Sequence, residues 1–129
     1  MGACYSVDLT VKFTDAAQAA AALKSYITRN PDGANFGLPR WAECGIGTEK
    51  LDDLLAIMLA GWPGQRVRKE EEPDGFISYR NDFDASYGWQ RIMEAMFRAM
   101  AAHLADGSEF YIGADNAETV FRVEGGEVC

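Results

Sequence analysis

Residues 84–123 read DASYGWQRIMEAMFRAMAAHLADGSEFYIGADNAETVFRV, and this run decides the fold. Trp89, Met93, Met96, Phe97, Met100 and Leu104 recur every three to four residues, which lines them along one stripe of an α-helix. Asp84 or Ser86 can accept hydrogen bonds from the free N–H groups at the helix start, and Asp106-Gly107-Ser108 ends it. Residues 109–113 and 119–123 then flank the turn-prone Ala114-Asp115-Asn116-Ala117 and predict a β-hairpin. Phe110 and Ile112 share one face, and Thr119, Phe121 and Val123 alternate against Val120 and Arg122. A helix with so wide an apolar stripe must lie on a partner, and the hairpin's sheet is the nearest one.

The remaining segments complete that sheet. Residues 5–13 alternate, with Tyr5, Val7, Leu9, Val11 and Phe13 set against Ser6, Asp8, Thr10 and Lys12, as in a strand with one solvated face. Thr14 or Asp15 caps an Ala-rich helix reaching about Arg29, with Ala16, Ala19, Ala20, Leu23 and Ile27 as its inner stripe. Asn30-Pro31-Asp32-Gly33 is a turn. Thr48 caps a helix carrying Leu51, Leu54, Leu55, Met58, Leu59 and Trp62. Asp52 and Asp53 interrupt its apolar run, so an amphipathic surface helix is expected, and with Glu49 they lie in its first turn, where the helix dipole favours negative charge. Residues 66–71 and 76–82 flank Glu72-Pro73-Asp74-Gly75, a type I turn sequence, so a second hairpin is expected with Ile77, Tyr79 and Phe83 inside. The order is strand, helix, helix, hairpin, helix, hairpin. It predicts one α+β domain over residues 1–129, with about five mainly antiparallel strands and the helices packed on one face.

A chain of 129 residues, 48% hydrophobic and 25% charged, can bury a core without disulfides or metal. No apolar run approaches the ~20 residues a membrane span needs. Three widely spaced cysteines, Cys4, Cys44 and Cys129, form no CxxC pair, which points to reduced thiols in a cytoplasm rather than a zinc cage. The opening Met1-Gly2-Ala3-Cys4-Tyr5-Ser6 fits the short N-myristoylation pattern, with Cys4 as an acylation site, but one acyl chain cannot anchor stably alone, and a start followed by a strand is the favoured reading. His103 is the sole histidine, and no cysteine has a signature of activation by it. Walker, nucleotide-binding glycine, G-x-S-x-G and H-E-x-x-H motifs are all missing, so neither an enzyme nor a cofactor or metal is indicated.

Net charge is −8. The first 69 residues carry 8 basic and 7 acidic side chains and the last 60 carry 4 and 13, so the acidity belongs to the second half. Such a field disfavours direct contact with nucleic acid and steers towards a basic protein surface, including one that normally holds nucleic acid. Small size, acidity and the lack of a catalytic signature are shared with phage and mobile-element inhibitors of the anti-CRISPR and antirestriction type, whose carboxylates stand in for phosphates. The expected contact residues are Glu70, Glu71, Glu72, Asp74, Asp82 and Asp84, together with Tyr87 and Arg91, two residue types enriched at interface hot spots. The competing expectation is a small-ligand binder or minor enzyme with a pocket under residues 34–47. Tyr26, Arg40, Trp41 and Cys44 would line it. Self-association through an apolar helix face is the third possibility.

Overall fold

A computed structural model describes residues 2–29, 50–61, 66–115 and 117–129. The turn at residues 30–33, the 34–47 segment with Arg40, Trp41 and Cys44, and Thr48 and Trp62 lie outside the described residues. The chain runs through β1 (Gly2–Val11), α1 (Ala16–Arg29), α2 (Leu51–Ala60), β2 (Arg68–Glu71) and β3 (Ile77–Ser86). It continues through α3 (Trp89–Met100), a 3₁₀ turn (Ala101–His103), β4 (Glu109–Ala114), β5 (Ala117–Glu124) and β6 (Glu127–Val128). Every strand pair is antiparallel, in the order β2-β3-β1-β4-β5-β6. The expected α+β architecture is present, with six strands among the described residues rather than about five.

The alternation of β1 explains the layering. Ala3, Tyr5, Val7, Leu9 and Val11 are buried and join one apolar cluster with residues of α1, α2 and α3. The intervening side chains face away from the helices. β1 starts earlier than residue 5, and Phe13 contributes only a single bridge to Leu104.

The stripe of α3 is buried as read, with Ile92 added: Trp89, Ile92, Met93, Met96, Phe97 and Met100. Phe97 lies with its ring centroid 5.5 Å from that of Phe110 and 6.4 Å from that of Phe121, so the helix is seated on the β4–β5 hairpin. Trp89 donates from Nε1 to the Met58 carbonyl at 3.0 Å and thereby joins α3 to α2. The start of α3 differs from expectation. Asp84 and Ser86 are strand residues, paired with Cys4 and Gly2, and Gly88 occupies the N-cap position with no side-chain cap. Ten residue pairs between β1 and β3 satisfy more backbone groups than one cap bond could.

The expected surface character of α2 is also corrected. Leu54 to Ala60 are all buried, and seven consecutive helical residues sample the whole circumference. Asp52 and Asp53 do not make a polar face, because both lie in the first turn, where the helix dipole favours them. Asp52 accepts from Lys69 Nζ at 2.9 Å and from the Tyr79 hydroxyl at 3.2 Å, tying β2 and β3 to the helix. Burial, with the Asp52 charge added, holds the Tyr79 hydroxyl well above its ordinary pKa. Lys50 occupies the N-cap position with no side-chain cap. In α1, Asp15 does cap, accepting from the Gln18 N–H at 3.0 Å. Ala19, Leu23 and Ile27 form the buried stripe, whereas Ala16 is exposed.

The unexpected strand is β6. Gly125 (φ 61°) and Gly126 (φ 78°) form the two-residue loop between β5 and β6. Two successive positive φ values are what a type I′ hairpin turn requires. Among the described residues, no helix is long and apolar enough to cross a membrane.

Candidate functional site

Helices cover one face of the sheet, so chemistry open to a partner gathers on the other. Cys4, Ser6, Asp8 and Thr10 of β1 point there, and strand register sets their neighbours. On one side Cys4 pairs with Asp84, Ser6 with Asp82 and Asp8 with Arg80. On the other side Ser6 pairs with Gly113 and Asp8 with Tyr111. Beyond β4, Gly113 pairs with Glu118 and Tyr111 with Val120.

The two halves of this face differ in charge. Nearer Thr10, opposite charges neutralise one another: Arg80 lies 3.2 Å from Asp8, and Arg122 lies 2.9 Å from Glu124. Nearer Cys4, the sheet forms a concavity of about 450 Å³ whose rim holds Asp82, Asp84, Asp115 and Glu118. Among the described residues, no basic side chain lines it. The nearest ion pair, Arg68 to Asp82, spans 4.0 Å with both side chains about three-quarters exposed, so water screens it. The four carboxylates come from β3, from the β4–β5 loop and from β5, segments that only the strand order brings together.

Gly113 shapes the floor. A Cβ there would stand 2.7 Å from the Tyr111 hydroxyl oxygen and 3.3 Å from its ring carbon. The missing side chain lets the Tyr111 ring lie over the strand, with its hydroxyl donating to Glu118 at 3.1 Å. Burial and the Glu118 carboxylate raise the Tyr111 pKa, so the phenol stays protonated as a donor. Cys4 is also held in its neutral form. The hydrogen bond with Asp84 and then the Asp84 charge push its thiol pKa up, the reverse of what a nucleophilic cysteine needs. The His103 carbonyl accepts from the Thr14 N–H, which puts His103 beyond the far end of β1, more than ~20 Å from Cys4 at ~3.3 Å per strand residue. The site therefore has no thiolate and no imidazole partner for one.

Removing the Asp84 charge should release the thiol. Asp84→Asn is expected to speed alkylation of Cys4 by iodoacetamide at mildly alkaline pH, read by mass spectrometry of the Cys4 peptide. An unchanged rate would mean that Asp84 does not control this thiol.

The structure separates the residues singled out from sequence. Asp82 and Asp84 line the concavity. Glu70 faces the same side of the sheet opposite Ser78, whereas Glu71 falls on the helix side with Lys69 and Tyr79. Glu72 accepts from the Ser78 hydroxyl at 3.4 Å, and Asp74 accepts from the Phe76 N–H at 3.0 Å to set the hairpin turn. These six carboxylates make no continuous row. Tyr87 is 55% exposed and Arg91 is exposed, just past the end of β3. Tyr26 packs partly buried against the core.

Asp115, Glu118, Tyr111, Ser6 and Cys4 were missed as site residues. Ser6 and Tyr111 carried a signal, their position on the solvated faces of predicted strands, whereas Cys4, Asp115 and Glu118 fall outside the predicted strands. Among the described residues, no group of three or more His, Cys, Asp or Glu side chains is placed to hold a metal ion. Comparisons of the chain with protein-family models, curated proteins and solved structures found no match.

Proposed function

We propose that the protein is a non-catalytic binding module that docks a basic protein surface through the acidic half of its open sheet face. The observation behind this reading is the gathering of Asp82, Asp84, Asp115 and Glu118 around one concavity with no lining cation among the described residues. Carboxylates held this close deepen the negative potential of the cleft and attract a cationic partner from a distance. Cys4, Ser6 and Tyr111 add hydrogen-bonding groups between the charges, and the neutral thiol and phenol do not compete for the partner's cations.

A protein channel that normally holds nucleic acid is the partner class that fits best, with the carboxylates in the place of phosphates. In that case the module acts as a competitive inhibitor of nucleic-acid binding. The chain's net charge of −8 supports the same direction of attraction.

The test is affinity capture from host lysate with the wild-type protein and with the Asp82→Lys/Asp84→Lys variant in parallel, at low and raised salt. The expected result is one nucleic-acid-handling protein held by the wild type, released by salt, displaced by its own nucleic acid and not held by the variant. Capture of the same proteins by both forms would contradict the proposal.

A further inference from the structure

The two edges of the sheet are built differently. At one edge, β2 is four residues long, entirely exposed and reads Arg-Lys-Glu-Glu, with Lys69 tied to Asp52. Short, charged edges of this kind resist pairing with another strand. At the other edge, β6 pairs only with Val123 and Glu124, and the Cys129 N–H donates to the Arg122 carbonyl at 2.9 Å. The first part of β5, from Ala117 to Phe121, has no strand on its outer side among the described residues.

Backbone direction along that edge follows from two hydrogen bonds. Val123 donates inward to the Ser108 carbonyl at 2.9 Å, while the Arg122 carbonyl is turned outward to Cys129. Alternation along a strand then turns the N–H and C=O groups of Val120 and Glu118 outward as well. No lysine or proline guards this stretch, and Val120 is 56% exposed, one of two large apolar residues so open among those described. Glu118 on this edge is also part of the acidic concavity, whose rim continues through Asp115.

We infer that the outer edge of β5 takes an extended, basic segment of the partner as an added strand. The inference rests on the acidic-face reading and specifies how the partner is held. Cross-strand neighbours set the preference: a Lys or Arg side chain opposite Glu118, and two residues away an apolar or β-branched side chain opposite Val120. Main-chain hydrogen bonds to Glu118 and Val120 supply the register. A second copy of this chain is a poor occupant, because Asp115, Glu118, Glu124 and Glu127 crowd the edge and leave Arg122 as its one positive charge.

The probe is a fluorescein-labelled peptide, Arg-Thr-Val-Thr-Arg-Thr-Val-Thr, which presents Arg and Val on one face when extended. Fluorescence anisotropy would compare it with the same peptide N-methylated at alternate residues, which cannot complete the ladder. Protein variants would be Val120→Pro, which removes one outward N–H at an edge position where proline is tolerated, and Asp82→Lys/Asp84→Lys. Strand addition predicts binding to the wild type that weakens at least about tenfold with Val120→Pro and with the methylated peptide. Equal binding of both peptides, or of the wild type and Val120→Pro, overturns strand addition. If Asp82→Lys/Asp84→Lys still loses the probe in that case, the acidic-face reading survives alone. No binding of the probe by the wild type overturns strand addition, and a dimer in light scattering that Val120→Pro dissolves assigns the edge to self-association instead.

Discussion

Replacing Trp89 with alanine is expected to destabilise the protein by about 3–5 kcal/mol, the range for removing a large aromatic side chain from a packed core. Trp89 is 2% exposed and stands where three elements meet: it opens α3, follows β3 and donates to the Met58 carbonyl near the end of α2. Truncation leaves a cavity and a buried carbonyl without that donor. At about 3–5 °C per kcal/mol for a domain of this size, thermal unfolding should begin some 10–25 °C lower. Trp89→Phe separates the two contributions. It keeps most of the ring and loses the hydrogen bond, so a cost of about 1–3 kcal/mol is expected. A melting temperature for Trp89→Ala within two or three degrees (about 1 kcal/mol or less) of wild type would contradict this account of the core.

The second large effect concerns binding and should leave stability nearly unchanged. Asp82→Lys/Asp84→Lys replaces two carboxylates on exposed positions of β3, and the ion pair between Asp82 and Arg68 is long and solvated. Breaking that pair costs little, and relief of repulsion among the four carboxylates acts in the opposite direction. Melting should therefore shift by no more than about 1 kcal/mol equivalent. If the acidic face docks a basic partner as proposed, affinity for it should fall about 100-fold or more, because each substitution removes an attraction and adds a repulsion. The fall should be largest at low ionic strength, where the wild type binds best. A variant that melts like wild type and binds like wild type would remove the acidic face from the function.

Much of the architecture was legible because it rests on local periodicity. The two-residue alternation of residues 5–13 and the three-to-four-residue recurrence from Trp89 to Met100 each bury one face, so pattern and packing agree. The reading failed where a long-range partner outweighed a local preference. Asp84 and Ser86 are good capping residues, yet pairing with Cys4 and Gly2 draws them into β3. Asp52 and Asp53 lie in the first turn of α2 as the helix dipole favours, but the amphipathic surface helix they suggested is solidly apolar beyond that turn. β6 pairs through two residues, too few to show a period, and its signal was the Gly125-Gly126 loop.

The site was less legible than the fold because it is a product of strand order. β1 lies between β3 and β4, and this sets Asp82 and Asp84 across Cys4 and Ser6 from Tyr111, Asp115 and Glu118. Nothing in the spacing of residues 82–84 and 115–118 along the chain requires them to meet. The acidic excess of the last 60 residues was visible, but its concentration at one end of the open face follows from the antiparallel registers.

The most direct test is hydrogen–deuterium exchange of the protein alone and in complex with the partner captured from lysate. The account predicts added protection in residues 2–6, 82–86 and 111–120, with the outward amides of Glu118 and Val120 among the most strongly slowed. Protection confined to α1 and α2, with those three segments exchanging as in the free protein, would contradict it.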